Sequence, residues 1–174
     1  TKYVLAHLFV GKRTLQKCKE FLNQIKITCY EQILEAYRKE KQKPKKKRKL
    51  ITFVCDKFCN YKTAWSVLFR RVDKLTFGVP IKAKRAGLKH NNNPIERYNG
   101  KIKDRTKTMR GEFDNFEGAE AFMNLRHIIH NFVNPHQQLN GITPAEAAEV
   151  KLPLKRNKLL NLIKYVRRLY ITKR

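Results

Sequence analysis

Ile51-Thr52-Phe53-Val54-Cys55-Asp56 is the stretch on which the fold reading turns. Its first five residues form an unbroken apolar and β-branched run, the pattern of a short buried strand. An Asp that closes such a strand points out at the carboxyl end of the sheet, where open α/β sheets bind ligands. A turn or helix-capping Asp has the same sequence appearance, so position alone leaves both readings open. Downstream, residues 61–69 are expected to be helical, with Tyr61, Trp65 and Leu68 on one side. Residues 75–79 read as another strand, stopped by Pro80, and residues 81–89 as a basic loop containing Gly87.

Upstream, residues 3–10 are apolar and strand-like, interrupted by His7, which is read as structural. Gly11-Lys12-Arg13 turns the chain, and Thr14 can cap a helix. Leu15, Cys18, Leu22 and Ile25 recur at helical spacing, and Tyr30, Ile33, Leu34 and Tyr37 repeat the pattern in a second stretch. Strands alternating with helices predict an α/β fold, a sheet flanked by helices. The remainder reads as helical. Asn93 and Pro94 suit a helix start, with Glu96 one turn in and an end near Met109. Asp114-Asn115-Phe116-Glu117 looks like a further capping box that opens a second helix, and Thr143-Pro144-Ala145-Glu146 opens a short third one. Beyond Pro153 the tail is amphipathic, with Leu159, Leu162, Ile163, Val166, Leu169 and Tyr170 on one face, expected to pack on the core or to serve an interface. The expected organisation is a domain over residues 1–150 and a basic C-terminal helix over residues 151–174.

The chain has 174 residues, 41% of them hydrophobic, so global disorder is not expected. Forty Lys plus Arg against fourteen Asp plus Glu give a formal charge of +26. Such an excess suits a polyanion, nucleic acid or an anionic membrane surface. No apolar run approaches the roughly 18 residues of a membrane span, and no signal peptide is visible. A cytoplasmic, nucleoid-associated setting is therefore expected. The chain opens on Thr1 within a strand-like run and reads as a fragment or a processed form. Cys18, Cys29, Cys55 and Cys59 match no paired zinc spacing, and His127, His130 and His136 lack a partner that would complete a zinc site. The run Lys-Gln-Lys-Pro-Lys-Lys-Lys-Arg-Lys over residues 41–49 is a solvated loop, a DNA-backbone contact or a nuclear-import signal.

Glu96 has two readings. Asn93-x-x-Glu96 can be a capping box alone. Lys103 lies seven residues on, two turns along the same helix face, and Arg97, Lys101, Arg105 and Lys107 add positive charge. A carboxylate among cations suits a phosphate backbone held against a metal site.

Residues 90–111, His-Asn-Asn-Asn-Pro-Ile-Glu-Arg-Tyr-Asn-Gly-Lys-Ile-Lys-Asp-Arg-Thr-Lys-Thr-Met-Arg-Gly, resemble the third-carboxylate helix of insertion-sequence DDE transposases, members of the retroviral-integrase-like superfamily. His130-Asn131-Phe132-Val133-Asn134-Pro135-His136 and Leu139-Asn140-Gly141-Ile142-Thr143-Pro144-Ala145-Glu146 resemble two further hallmarks of that family. Phe53-Val54-Cys55-Asp56, followed by Tyr61, resembles its second-Asp strand. The resemblance implies an RNase H-like mixed sheet flanked by helices, incomplete at its start, with a helical C-terminal part. It implies Asp56 and Glu96 as catalytic carboxylates that bind Mg2+, with Mn2+ as a substitute. It implies Lys103 on the DNA backbone and a homo-oligomer acting on transposon ends and target DNA. The family's first Asp has no counterpart here, because Glu20, Glu31, Glu35 and Glu40 all lie in helical stretches. Little or no activity is therefore expected of these residues alone. The alternatives are a DNA-binding remnant of a decayed mobile element and a general basic nucleic-acid binder.

Overall fold

The computed structural model describes residues 1–80, 93–107, 113 and 115–172, and the side chains of all of these but Tyr170 and Thr172. The chain divides into two compact units, Val10–Arg110 and a second made of Thr1–Phe9 with Gly111–Arg174.

The first unit is built on α1, Leu15–Lys41. Thr14 starts it by accepting the Lys17 N–H. The two helical stretches expected from sequence are one long helix with a kink at Cys29, whose φ of −139° and ψ of 18° leave the helical region. Two neighbouring side chains turn back on the helix at this point. Thr28 Oγ1 donates to Gln24 O at 2.8 Å and Cys29 Sγ donates to Ile25 O at 3.0 Å. Such back-bonding bends helices, and here it occurs at consecutive positions.

Cys18, Leu22 and Ile33 of α1 are buried with Ala64, Phe69 and Val72, and Phe21, Tyr30, Phe53 and Trp65 pack around them. Ala64 lies in α2, Cys59–Leu68, which packs on α1. Phe69 follows α2 and stacks on Phe53 with ring centroids 4.8 Å apart. Phe53 is the middle residue of β1, Thr52–Val54, so this pair ties strand to helices. β1 runs parallel to β2, Lys74–Thr76, with Thr52 opposite Lys74 and Val54 opposite Thr76. α3, Asn93–Lys107, completes the described part of this unit and buries Ile102. The basic loop expected at residues 81–89, the start of the Asn-rich motif and the helix end near Met109 lie outside the described residues.

The second unit centres on α4, Phe116–Ile128, which runs into a single π turn, Ile129–Val133. Asn115 caps α4 through Gly118 N at 2.6 Å, and Asp114 lies outside the described residues. A 3-10 turn, Gln137–Leu139, is organised by His136, whose carbonyl accepts from Leu139 N at 2.8 Å and whose Nδ1 accepts from Gln138 N at 3.2 Å. Asn140 and Gly141 then reverse the chain with φ of 55° and 81°, conformations that Asn and Gly adopt most readily. α5, Pro144–Ala147, opens with a full capping box between Thr143 and Glu146. α6, Lys158–Thr172, buries Leu162 while Leu159, Leu160, Ile163, Val166 and Leu169 stay exposed. Among the described residues no helix is long and apolar enough to cross a membrane.

The fold expectation is corrected here. The described residues are 61% helix and 4% strand, with one two-stranded parallel sheet, not an RNase H-like mixed sheet flanked by helices. The physical reason is visible at residues 3–10. Their apolar side chains are only partly covered, Leu5 being exposed, and the backbone at Val4 finds side chains instead of a neighbouring strand. Val4 N donates to Asn131 Oδ1 and Val4 O accepts from Asn131 Nδ2, each at 2.9 Å. His127 Nε2 bonds the same carbonyl at 2.7 Å. With both groups of Val4 satisfied, nothing there drives a β ladder.

Candidate nucleic-acid and metal site

Asp56 stands just past β1, at the carboxyl end of the two-stranded sheet. Its loop is fixed by the end of β2. Cys55 N donates to Thr76 O at 3.1 Å, Gly78 N to Asp56 O at 3.3 Å and Val79 N to Cys55 O at 3.1 Å. Gly78 makes this return with φ of 78°, and a Cβ there would meet Lys57 Cγ at 3.2 Å. A side chain at position 78 would therefore disturb the loop that carries Asp56.

The Asp56 carboxylate is half exposed and already engaged. Oδ1 accepts from Phe58 N at 3.1 Å, an Asx turn that leads into α2. Oδ2 lies 3.6 Å from the Arg13 guanidinium. Arg13 also lies over the Phe58 ring, 4.6 Å from its centroid, and its carbonyl accepts from Asn60 Nδ2 at 3.3 Å. Arg13 therefore covers the outer oxygen of Asp56. The sequence reading made Arg13 a turn residue; only its contact with Phe58 in the folded chain gives it this place.

Glu96 lies in the first turn of α3 and is half-buried. Lys103 is on the same face about 10 Å further along the axis, at 1.5 Å per residue. Arg97, Lys101, Lys103, Arg105 and Lys107 are all exposed, on a helix whose buried residue is Ile102. The described hydrogen bonds and ion pairs do not join Glu96 to Asp56. Among the described residues no three His, Cys, Asp or Glu side chains come together as a metal cluster. Two carboxylates are the right donor chemistry for Mg2+, which takes hard oxygen ligands and keeps several waters.

A third carboxylate escaped the sequence reading. Asp73 is only 6% exposed, and neither carboxyl oxygen has a hydrogen-bond partner among the described residues. Burial raises its pKa to about 6. Asp73 does not stand beside Asp56. It precedes β2 at the amino end of the sheet, where Lys74 N donates to Ile51 O, whereas Asp56 follows β1 at the carboxyl end. Along parallel strands these levels are roughly five residues, or about 16 Å, apart.

The basic run over residues 41–49 is more ordered than a solvated loop. Arg48 Nε donates to Lys43 O at 2.9 Å and its terminal nitrogen to Lys41 O at 3.0 Å, closing the end of α1. Glu40 accepts from Lys49 N at 2.7 Å and pairs with Lys43. Between them Lys45–Lys47 form one exposed 3-10 turn that presents three ammonium groups.

The motif over residues 130–146 supplies structure at Asn131, Thr143 and Glu146. Asn131 is fully buried against Val4 and Thr143 is buried in its capping box. Glu146 binds Thr143 N at 2.7 Å and Lys158 Nζ at 2.8 and 2.7 Å through its two oxygens. The Lys158 ammonium and the Thr143 N–H hold its pKa down to about 2. The cysteines are all free thiols. Burial pushes Cys18, Cys29 and Cys55 upward, which makes them poor nucleophiles.

No family model matches the chain, and no curated protein or solved structure matches it either.

Proposed function

We propose that this chain is a DNA-binding protein of the DDE transposase type, in which Asp56 and Glu96 bind Mg2+ or Mn2+ and the cations of α3 hold the DNA backbone. The supporting observation is α3 itself: Glu96 sits in its first turn while Arg97, Lys101, Lys103, Arg105 and Lys107 are exposed along the same helix. The excess positive charge supports a polyanionic partner, transposon-end and target DNA in this reading. When bound, the metal would supply Lewis-acid stabilisation for phosphoryl transfer. Asp56 and Glu96 offer the oxygens; Lys103 and its neighbours neutralise and position phosphates. The protein would work as a homo-oligomer on DNA in the cytoplasm, associated with the nucleoid. With two carboxylates in place of three, these 174 residues alone are expected to transfer strands little or not at all. Robust Mg2+-dependent strand transfer would overturn that expectation.

A second reading, DNA binding without catalysis, is favoured by the engagement of Asp56 with Arg13 and Phe58 N. Mn2+ binding to the protein–DNA complex, followed by electron paramagnetic resonance, separates the two. In the transposase reading Asp56→Asn and Glu96→Gln each weaken Mn2+ binding while DNA binding is retained or strengthened. Mn2+ binding that neither substitution changes would leave a basic DNA binder whose two carboxylates are caps.

A further inference from the structure

His7 and His127 meet through their Nδ1 atoms. Their outer nitrogens both face oxygen: His7 Nε2 lies 2.7 Å from Asn124 Oδ1, and His127 Nε2 lies 2.7 Å from Val4 O. A carbonyl and an amide oxygen only accept, so each Nε2 must carry a hydrogen. Two neutral imidazoles own one N–H each, and both are used by these outer contacts. The facing Nδ1 atoms would then oppose lone pair to lone pair. Three contacts require three hydrogens, one more than the neutral pair possesses.

We propose that His7 and His127 form a proton-sharing pair carrying one positive charge, and that this pair is a pH-sensitive clasp holding the Thr1–Phe9 segment to α4. The third hydrogen lies between the Nδ1 atoms. Burial and the neighbouring imidazoles hold His127 below the usual histidine range, which disfavours a full positive charge on that ring. A second added proton would set two N–H groups against each other. Loss of the shared proton would restore the opposed lone pairs. Either change opens the clasp.

The surroundings permit a single positive charge. His130, one turn beyond His127, bonds Lys2 O through Nε2 at 3.0 Å and is the other titratable group acting on His127. Asn124 and Asn131 are neutral. The π turn that follows α4 packs on α5 and α6, which bring Glu146 and Lys158, and those two are paired with each other. Asn131 secures Val4 independently, so the imidazole pair modulates a segment that has a second fastening.

The test is a long-range 1H–15N correlation on the full chain with 15N-labelled histidine, recorded from about pH 5 to about pH 9. The expected result near neutrality is a protonated Nε2 on both rings, with the Nδ1 pair sharing one hydrogen. Hydrogen exchange at the Tyr3 and Val4 amides, corrected for intrinsic rates, should be slowest there and rise about tenfold toward both ends of the range. An unprotonated His7 Nε2 would overturn the proposal, because the Asn124 amide would then be the donor and the pair neutral. A flat exchange profile would overturn the clasp. Added Zn2+ that shifts both Nδ1 signals at one equivalent would also overturn it, by making a metal ion the occupant.

Discussion

The Asn131 side chain holds Val4 as a neighbouring strand would, accepting from its N–H and donating to its C=O, each over 2.9 Å. Asn131 is fully buried and lies in the π turn after α4. The extra residue of a π turn re-aims side chains, and π bulges recur where a helix does something other than pack. Asn131→Ala is predicted to cost the second unit about 1–3 kcal/mol, because the part-buried Val4 N–H loses its partner while the carbonyl keeps only His127. Asn131→Asp keeps the acceptor and loses the donor, so it should also destabilise. Protection of the Val4 amide against hydrogen exchange reads both variants, and unchanged protection in Asn131→Ala would show that Val4 is held by something else.

Asp73 gives the first unit an unusual pH dependence. Its folded pKa of about 6 lies above the ordinary 3.8, so the folded state binds its proton more tightly than the unfolded state. The associated stability is fully present below pH 3.8 and is lost as pH rises through about 6. Two pKa units correspond to at most about 3 kcal/mol lost at neutral pH. Asp73→Asn is predicted to raise the unfolding midpoint of this unit at pH 7.5 and to change it little at pH 4.5. Equal effects at both pH values would mean that Asp73 ionises without penalty.

Glu146 acts in the opposite sense. Its folded pKa of about 2 lies below the ordinary 4.5, so its contribution is present above pH 4.5 and disappears as pH falls through about 2. The side chain is 45% exposed, so the shift overstates the stability it carries. Thr143→Ala is predicted to cost about 1–2 kcal/mol through loss of the helix cap. Lys158→Met should cost less and should lift the Glu146 titration toward its ordinary range, which a carboxyl-detected NMR titration would follow.

DNA binding should depend on α3 in a graded way. Lys103→Ala is predicted to weaken binding to any duplex and to reduce the slope of log K against log salt by about 0.9, the signature of one lost phosphate contact. Glu96→Gln should leave that slope unchanged and strengthen metal-free binding, since it removes a negative charge from the same helix. A Lys103→Ala protein with an unaltered slope would place the DNA elsewhere, the Lys45–Lys47 turn being another exposed basic feature.

The sequence made the helices and their starts legible because periodicity and caps are local. Thr14 caps α1 and Thr143 stands before α5, while the helix expected to open at Asp114 takes its cap one residue on, from Asn115. β1 and Asp56 at its end were legible for the same reason, an apolar run closed by a turn former. Three features were not. Residues 3–10 carry strand composition, and composition does not say whether a strand or an asparagine will take the hydrogen bonds. The kink at Cys29 joins two helical stretches that sequence separates, because its cause is side-chain bonding to carbonyls four residues back. Asp73 lies within Arg70-Arg71-Val72-Asp73-Lys74, where flanking cations suggest a surface; its burial follows from the packing of Phe69 and Val72. At the candidate site, charge and spacing named Glu96 and its basic neighbours, while the cover that Arg13 places over Asp56 required the folded chain.

Burial of Asp73 has a consequence for heating experiments. Acidification from neutrality toward pH 5 protonates Asp73 and makes the first unit harder to melt. The same change favours protonation of His127 in the unfolded chain over the folded one, because its folded pKa lies below its ordinary value, and makes the second unit easier to melt. Calorimetric scans across that interval should therefore contain two endotherms that travel in opposite directions. Their separation, rather than either midpoint, would be the sensitive gauge of which buffer the whole chain tolerates best.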